Sequence, residues 1–323
     1  MTPRIPVGEY ARFLRSEYLE SFVASGGSAV KVAVVPDAAT ADALAQAVRA
    51  DADSLGYATV AVDSAFTRVN LIQQIFFAAA GGLDWAAHAR TVVESLVEEV
   101  YGPEARNTRT LDDVAETTGI DRTLVRTRMD EALTKRVIRN YTLAKDFRLA
   151  MVQLCLSEFQ PELYTEAGCS AILEWLRGEL RLISALKDRL IFQKITRHNA
   201  RPMLASTARW LHQAGLPGLL IVLDARQLAV ARPAAGDEGS LHYTPAALMD
   251  AYEVLRQFID ATDEMEHLML LVVAPSDLLD EDNKRGIASY HALRNRIWDD
   301  VRDRERANPC APMVHVVSDE GSD

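Results

Sequence analysis

Apolar runs and amphipathic stretches alternate along most of the chain, and this order predicts an α/β fold. Runs typical of strands buried on both faces of a parallel sheet occur at 30–35, 57–63, 218–224 and 267–275, with a shorter one at 312–317. Apolar residues recur at helical spacing at 8–25, 39–56, 68–83, 85–102, 244–262 and 289–306. The order predicts a three-layer α/β domain with a parallel sheet, of P-loop NTPase-like or Rossmann-type architecture.

An all-helical stretch at 104–158 interrupts this alternation, and two further helices are predicted at about 170–196 and 200–214. We therefore divide the chain into three parts. Residues 1–103 form the N-terminal part of the α/β domain, 104–158 form a helical insertion, and 159–323 form the C-terminal part of the α/β domain.

The insertion contains TLDDVAETTGIDRTLVRTRMDEALTKRVI (110–138), which resembles a helix-turn-helix or winged-helix module. A tight turn at Gly119 separates two predicted helices, and Asp121 is placed to cap the second one. The predicted apolar face of the second helix consists of Leu124, Val125, Met129 and Leu133. The candidates for DNA contact lie on or near its exposed face and are Arg122, Thr123, Arg126 and Arg128.

The charge of the chain limits where nucleic acid could be bound. The net charge is −11, and an acidic chain is not a general nucleic-acid coat because phosphate contact needs lysine and arginine. Residues 118–148 are locally basic, with eight Lys/Arg against four Asp/Glu. Contact with double-stranded DNA is therefore expected only here. The alternative is a module that docks a protein or is plainly structural, with arginines that are solvated or paired.

Several other classes of protein are disfavoured by the sequence. No stretch of about 18 uncharged apolar residues is present, so no membrane span is expected. The N-terminus lacks the apolar core of a signal peptide, and we expect a cytoplasmic protein. The three cysteines and the histidines show no metal-ligand spacing, so no metal site is expected.

The junction between the first long strand and its helix, KVAVVPDAATADAL (31–44), stands where many nucleotide-binding proteins carry a phosphate loop. Such a loop, G-x-x-x-x-G-K-[ST], uses glycines to wrap the phosphates and a lysine to neutralise them. Residues 36–55 contain neither glycine nor lysine. Pro36 lacks a backbone donor, and Asp42 adds a second negative charge to that of Asp37. Conventional ATP binding is therefore not expected at this junction.

The other parts of an ATPase site are also altered. The strand 219–224 ends in Asp224, which is suited to hold magnesium or to anchor a loop. The next position, where ATPases carry the glutamate that orients water, is Ala225. The strand 267–275 leads to Ser276, a weak substitute for a polar sensor residue. Pro36, Asp42 and Asp224 thus mark a degenerate nucleotide site.

The order of GLLIVLDARQL (218–228), YEVLRQFIDAT (252–262) and RGIASYHALRNRI (285–297) resembles the P-loop ATPases of BREX phage-defence systems. The resemblance implies an AAA-like P-loop fold and a place in a defence complex beside an ATPase or helicase. The altered sites imply a degenerate member. Arg285, Arg294 and Arg296 are candidates for an interface, acting in trans on a neighbouring ATPase, or for local salt bridges.

These observations predict a pseudo-ATPase, a scaffold or regulatory subunit of an anti-phage or DNA-processing complex rather than an enzyme. On this reading ATP and magnesium are unlikely cofactors. Two alternatives stay open: a helix-turn-helix DNA-binding protein whose α/β part is an effector or dimerisation domain, and an active ATPase with an atypical site that uses Asp224 for magnesium.

Overall fold

The computed structural model of the chain describes residues 3–106, 108–231, 239–280, 283–298 and 307–319. The chain divides into two compact units. We call Met1–Ala79 together with Leu216–Asp323 the sheet unit, and Ala80–Gly215 the helical unit. The insertion predicted at 104–158 lies within the helical unit, which extends further in both directions along the chain.

The sheet unit is built on six parallel strands. They are β1 Ile5–Pro6, β2 Ser28–Val35, β3 Ala58–Asp63, β4 Leu219–Asp224, β5 Leu268–Pro275 and β6 Met313–Val317. Their order across the sheet is β1-β6-β2-β5-β4-β3. The five predicted strands are confirmed. β1 is not predicted from the sequence, because two residues give no periodicity.

Each central strand has neighbours on both sides. β2 pairs with β5 along eight residues, from Ser28 opposite Leu268 to Val35 opposite Pro275. β4 pairs with β5 on one edge and with β3 on the other. Both faces of these strands are buried, which accounts for their nearly continuous apolar sequences.

Eleven α-helices lie in the described part of the chain. They are α1 Val7–Phe13, α2 Ala38–Ser54, α3 Ile72–Gly81, α4 Trp85–Tyr101, α5 Leu111–Thr118, α6 Arg122–Leu133, α7 Lys145–Phe159, α8 Glu166–Arg177, α9 Ala200–Gln213, α10 Pro245–Asp260 and α11 His291–Ile297. A π-helical segment, Leu14–Val23, continues α1, so that the two together form the helix predicted at 8–25.

Two predicted helices differ from the structure. The helix predicted at 170–196 ends at Arg177, because Gly178 adopts a left-handed φ of 77° and closes α8. A 3₁₀ turn, Ile183–Arg189, follows in place of further α-helix. The helix predicted at 289–306 is α11 as far as Ile297, and residues 299–306 lie outside the described part.

Helices cover both faces of the sheet. On one face, α1, the π-helical segment and α2 form a single apolar cluster with the sheet, in which Tyr10 and Leu44 are fully buried. On the other face, α10 and α11 place Leu255 and Leu293 against Val32 and Val272. The sheet unit is therefore a three-layer α/β structure, as the alternating sequence pattern predicts.

The core of the helical unit is aromatic. Phe147 of α7 contacts Trp85 of α4 and Trp210 of α9 edge-on, with ring centroids 6.0 and 6.4 Å apart. The indole N–H of Trp85 donates to the carbonyl oxygen of Ala80 at 2.9 Å. Large rings thus join three helices that are distant in sequence.

The close approach of β4 and β5 depends on a glycine, which gives a stability prediction. A Cβ atom at Gly218 would lie 2.4 Å from the carbonyl oxygen of His267, a backbone atom that cannot move aside. We expect Gly218→Ala to lower the free energy of unfolding by about 1–3 kcal/mol, the usual cost of overpacking. Urea unfolding followed by circular dichroism measures this change.

Gly81→Ala is the matched control, because a Cβ atom at Gly81 would meet nothing within 4 Å. This variant should be as stable as the wild type or slightly more stable, since alanine favours helix. Equal stability of the two variants would contradict the close approach at Gly218.

Candidate functional site

The topology of the sheet has a switch point at the carboxyl ends of β2 and β5. These strands are neighbours, yet α2 follows β2 on one face and α11 follows β5 on the opposite face. In open α/β sheets, ligands bind at such a switch point, beyond the carboxyl ends of the strands. The residues just after β2, β4 and β5 are therefore the candidates for a site.

The junction after β2 is closed by its own side chain. Pro36 and Asp37 are exposed, and Asp37 is the N-cap of α2. Its Oδ1 accepts the backbone N–H of Thr40 at 2.8 Å, and this hydrogen bond lowers the pKa of the carboxyl group. The carboxylate of Asp37 thus accepts a backbone N–H that a phosphate loop would offer to its ligand.

Arg226 is the main feature of the site, and the sequence analysis missed it. Its Nε and Nη2 donate to the carboxylate of Asp224, with distances of 2.8 and 2.5 Å to Oδ2. Nη2 also donates to Oδ1 of Asp42 at 2.9 Å. The hydrogen bonds that Arg226 donates to the carboxylate of Asp224 are the main reason that the pKa of Arg226 is raised. One guanidinium therefore joins the end of β4 to the first turns of α2.

Two of the three residues proposed from the sequence for the nucleotide site come together in this way. Asp42 and Asp224 both bind Arg226, whereas Pro36 is exposed beside them at the end of β2. The signal that could have identified Arg226 is its spacing: a basic residue two positions after a strand-ending aspartate can fold back onto it.

Ala225 and Asp63 also lie at this end of the sheet. Ala225 is buried and its N–H donates to the carbonyl oxygen of Val273. Its methyl group can act neither as an acid nor as a base. Asp63, at the end of β3, lies in register with Asp224. Its Oδ1 accepts the N–H of Ala65 at 2.7 Å. Asp63 is thus the carboxylate that the neighbouring strand β3 contributes at the level of Asp224.

The lysine nearest in sequence to the junction of β2 and α2 binds backbone carbonyl oxygens of the segment before β6. Lys31 on β2 is buried, and its Nζ donates to the carbonyl oxygens of Cys310 and Ala311 at 2.6 and 3.0 Å. Its ammonium group also lies 4.6 Å from the ring centroid of Tyr18. Burial lowers the pKa of Lys31 to about 8. This lysine anchors the loop before β6.

The interface candidates make contacts within the sheet unit. Arg285 donates to the carbonyl oxygens of Leu228 and Tyr243, at 3.1 and 3.0 Å, rather than to a carboxylate. Arg294 lies over the ring of Trp298, and Arg296 pairs with Asp260. Arg296 thus forms the kind of local salt bridge that the sequence suggests.

The segment 285–297 is fastened to α10 by an ion-pair network. Tyr290 donates to Glu253, and Arg256 of α10 bridges Glu253 and Asp260. The hydrogen bonds from Arg256, and then those from Tyr290 and Gln257, lower the pKa of Glu253 to about 2. The segment 285–297, which carries the family resemblance, is therefore held against α10.

In the helical unit, α5 and α6 are joined by a turn at Gly119, which has a φ of 66°. Asp121 caps α6 by accepting the N–H of Thr123 at 2.8 Å, as predicted. Leu124 differs from the prediction: its exposed fraction is 45%, while the other three residues of the predicted apolar face are buried. Leu124 lies in the first turn of α6, which neighbouring helices do not cover on this side.

The four DNA-contact candidates are exposed on α6. Arg122 is already paired, with its Nη1 2.9 Å from Asp112 of α5. No wing hairpin follows α6: residues 134–138 continue it as a π-helical turn, and α7 begins at Lys145. That α5 and α6 form a DNA-binding helix-turn-helix stays a prediction.

A parallel sheet with an aspartate at a strand end, next to a strand-to-helix junction, agrees with a P-loop-like ATPase-type α/β protein. The family model described as BREX system ATP-binding protein BrxC/D matches residues 22–318. The chain therefore belongs to this family of the BREX phage-defence system, and the resemblance seen in the sequence is confirmed. No curated protein and no solved structure matches the chain.

The family overturns one expectation. From the sequence, ATP and magnesium are not expected as cofactors, and a family described as ATP-binding contradicts this expectation. The expectation rests only on the glycines and lysines within the junction. Arg226 is a cation outside that local pattern, which the fold brings to Asp42 across 184 positions of sequence.

The residues at the switch point fit a magnesium nucleotide in their chemistry. Arg226 supplies a guanidinium, which suits phosphate oxygens, and Asp224 supplies a carboxylate, which suits magnesium. Within the described residues, no cluster of three or more His, Cys, Asp or Glu could hold a metal alone. Asp224 would therefore share magnesium with phosphate and water. When bound, the nucleotide supplies a transferable phosphoryl group.

Among the described residues, no helix has both the length and the apolar character needed to cross a bilayer.

The Glu253 network gives a pH prediction. The carboxylate of Glu253 is favoured in the folded state, so its contribution is present above pH 4.5, the ordinary pKa, and is lost as the pH falls toward 2. Since the side chain is 32% exposed, we expect Glu253→Gln to cost only about 1 kcal/mol at pH 7. The difference from wild type should shrink as the pH falls from 5 to 3, measured by urea unfolding.

Glu9→Gln, which removes an exposed carboxylate of α1, is the control and should change little. A difference between Glu253→Gln and wild type that is constant from pH 5 to 3 would show that the pair with Arg256 contributes nothing.

Proposed function

We propose that this chain is a hydrolysis-deficient regulatory subunit of the BREX system, a member of an ATP-binding family that acts as a scaffold in a multi-protein complex. The observation that supports it most is the state of Asp224. Its carboxylate is held by Arg226, and the adjacent Ala225 is a buried alanine.

Hydrolysis requires a group that orients or deprotonates the attacking water. A methyl group at Ala225 supplies neither. Asp63 is the nearest alternative on the neighbouring strand, but one of its oxygens is committed to the N–H of Ala65. The site therefore has a cation and a metal ligand, but the position that follows Asp224 in the chain carries no acid.

The proposed partners are proteins of the same system, such as an ATPase or a helicase. Arg296, which is exposed on α11, and Arg294, which is half-buried there, are the interface candidates that fit this role. Arg285 fits a positioning role better, because it donates to two backbone carbonyls of the sheet unit.

Phosphate release from ATP tests this proposal. We expect the purified chain with ATP and magnesium to release phosphate no faster than the Asp224→Asn variant. Nucleotide binding and circular dichroism, measured on the same samples, exclude misfolding as the cause.

A wild-type rate that Asp224→Asn abolishes would identify an active ATPase with an atypical site and contradict the proposal. If Asp63→Asn abolished the rate as well, Asp63 would be the water-orienting acid. Glu9→Gln serves as the control for the loss of a carboxylate.

The second candidate function is DNA contact by the helical unit. The N-terminal half of α6 is capped and exposed, which supports DNA contact. Other helices do not cover the face formed by Thr123, Leu124, Arg126 and Arg128. Arg126 and Arg128 are the stronger candidates, as Arg122 is paired with Asp112.

Fluorescence anisotropy with duplex DNA tests this candidate. Replacing Arg126 and Arg128 by alanine should weaken binding at least tenfold and reduce the salt slope by about 2, one for each lost phosphate contact. The control is the double replacement of Arg12 and Arg49, exposed arginines of the sheet unit. Equal binding by both double variants would argue against the helix as a DNA contact.

A further inference from the structure

We propose that Arg226 is an exchangeable latch. In the ligand-free chain it neutralises Asp224 and Asp42, and it moves onto the phosphates of a nucleoside triphosphate when magnesium takes its place on Asp224. This inference rests on the same site as the proposed function, but it concerns binding rather than hydrolysis, so the two can fail separately.

The position of the guanidinium is the first argument. It lies between the end of β4 and the start of α2, with its Nη1 3.4 Å from the carbonyl oxygen of Ala38. Phosphate groups favour the N-terminus of a helix, where the dipole attracts anions. Arg226 therefore already stands at the place where a phosphate would need a cation, although the loop itself has neither lysine nor glycine.

Charge balance is the second argument. One guanidinium faces Asp224 and Asp42, and Asp37, the N-cap of the helix that carries Asp42, adds a third carboxylate. A triphosphate alone would meet a net negative site. A magnesium ion on Asp224 would bring two positive charges and would leave Arg226 available to phosphate oxygens, which accept guanidinium donors in a bidentate manner.

The exposure of each partner sets the order of the exchange. The side chain of Asp42 is 71% exposed, so water can solvate it when Arg226 leaves. The side chain of Asp224 is only 24% exposed, so it needs a replacement cation. Arg226 should therefore leave Asp224 only when a metal ion arrives, which makes nucleotide binding depend on magnesium.

The backbone permits this movement. The N–H of Arg226 donates to Oδ1 of Asp224 at 2.9 Å, independently of the guanidinium. The loop is also held by the N–H of Gln227, which donates to Oγ of Ser64 at 3.2 Å. The side chain of Arg226 can therefore change partners while the loop keeps its place.

Isothermal titration calorimetry with ATP and magnesium tests the latch. We expect Arg226→Ala to weaken binding at least tenfold. Asp42→Asn should strengthen it about threefold or more, because it removes a competitor for the guanidinium. Arg49→Ala, an exposed arginine seven residues after Asp42 on the same helix, should stay within twofold of wild type.

A metal-free titration separates the latch from a simple loss of charge. With ATP and EDTA, wild type should bind at least tenfold more weakly than with magnesium. Asp224→Asn should bind metal-free ATP more tightly than wild type, since Arg226 has lost its strongest partner. Thermal melts establish that each variant is folded, and Arg226→Lys replaces Arg226→Ala if the alanine variant does not fold.

Unchanged affinity of the Arg226 variants, weaker binding by Asp42→Asn, or no ATP binding by wild type at millimolar concentration would each overturn the latch. Phosphate release measured on the same samples addresses the proposed function separately. Binding through Arg226 together with hydrolysis would support the latch and contradict the hydrolysis-deficient state.

Discussion

The pairing of β2 with β5 is the constraint on which the rest of the sheet unit depends. Eight residues in register bring the carboxyl end of β2 beside that of β5, and β4 follows at the next position in the sheet. Because the helices after β2 and β5 lie on opposite faces, this end of the sheet is a topological switch point, the place where open α/β sheets bind ligands. The close approach at Gly218 and the ion-pair network of α10 with α11 keep the surrounding strands and helices in place.

At that switch point, a set of charged side chains takes the place of a phosphate loop. Asp37 caps α2, while Arg226 joins Asp224 to Asp42. The arrangement has the types of group that a magnesium nucleotide needs, but in the ligand-free chain these groups satisfy one another. A member of an ATP-binding family can therefore keep its fold without a glycine-rich loop, and its site is closed by internal ion pairs.

The sequence was sufficient for features that depend on local pattern. Buried parallel strands appear as apolar runs, and Asp121 caps α6 as predicted. Features that depend on distant residues were not accessible. Arg226 meets Asp42 across 184 positions, and the exposure of Leu124 reflects which helices pack around α6 rather than its own spacing. The expectation about ATP was wrong for the same reason, because it considered only cations close in sequence.

A crystal structure of the chain with magnesium and a non-hydrolysable ATP analogue would show whether Arg226 changes partners. The guanidinium of Arg226 should then lie within hydrogen-bond distance of a phosphate oxygen, and the carboxylate of Asp224 should face the metal ion. A bound nucleotide with Arg226 still paired to Asp224 and Asp42 would show that no exchange takes place.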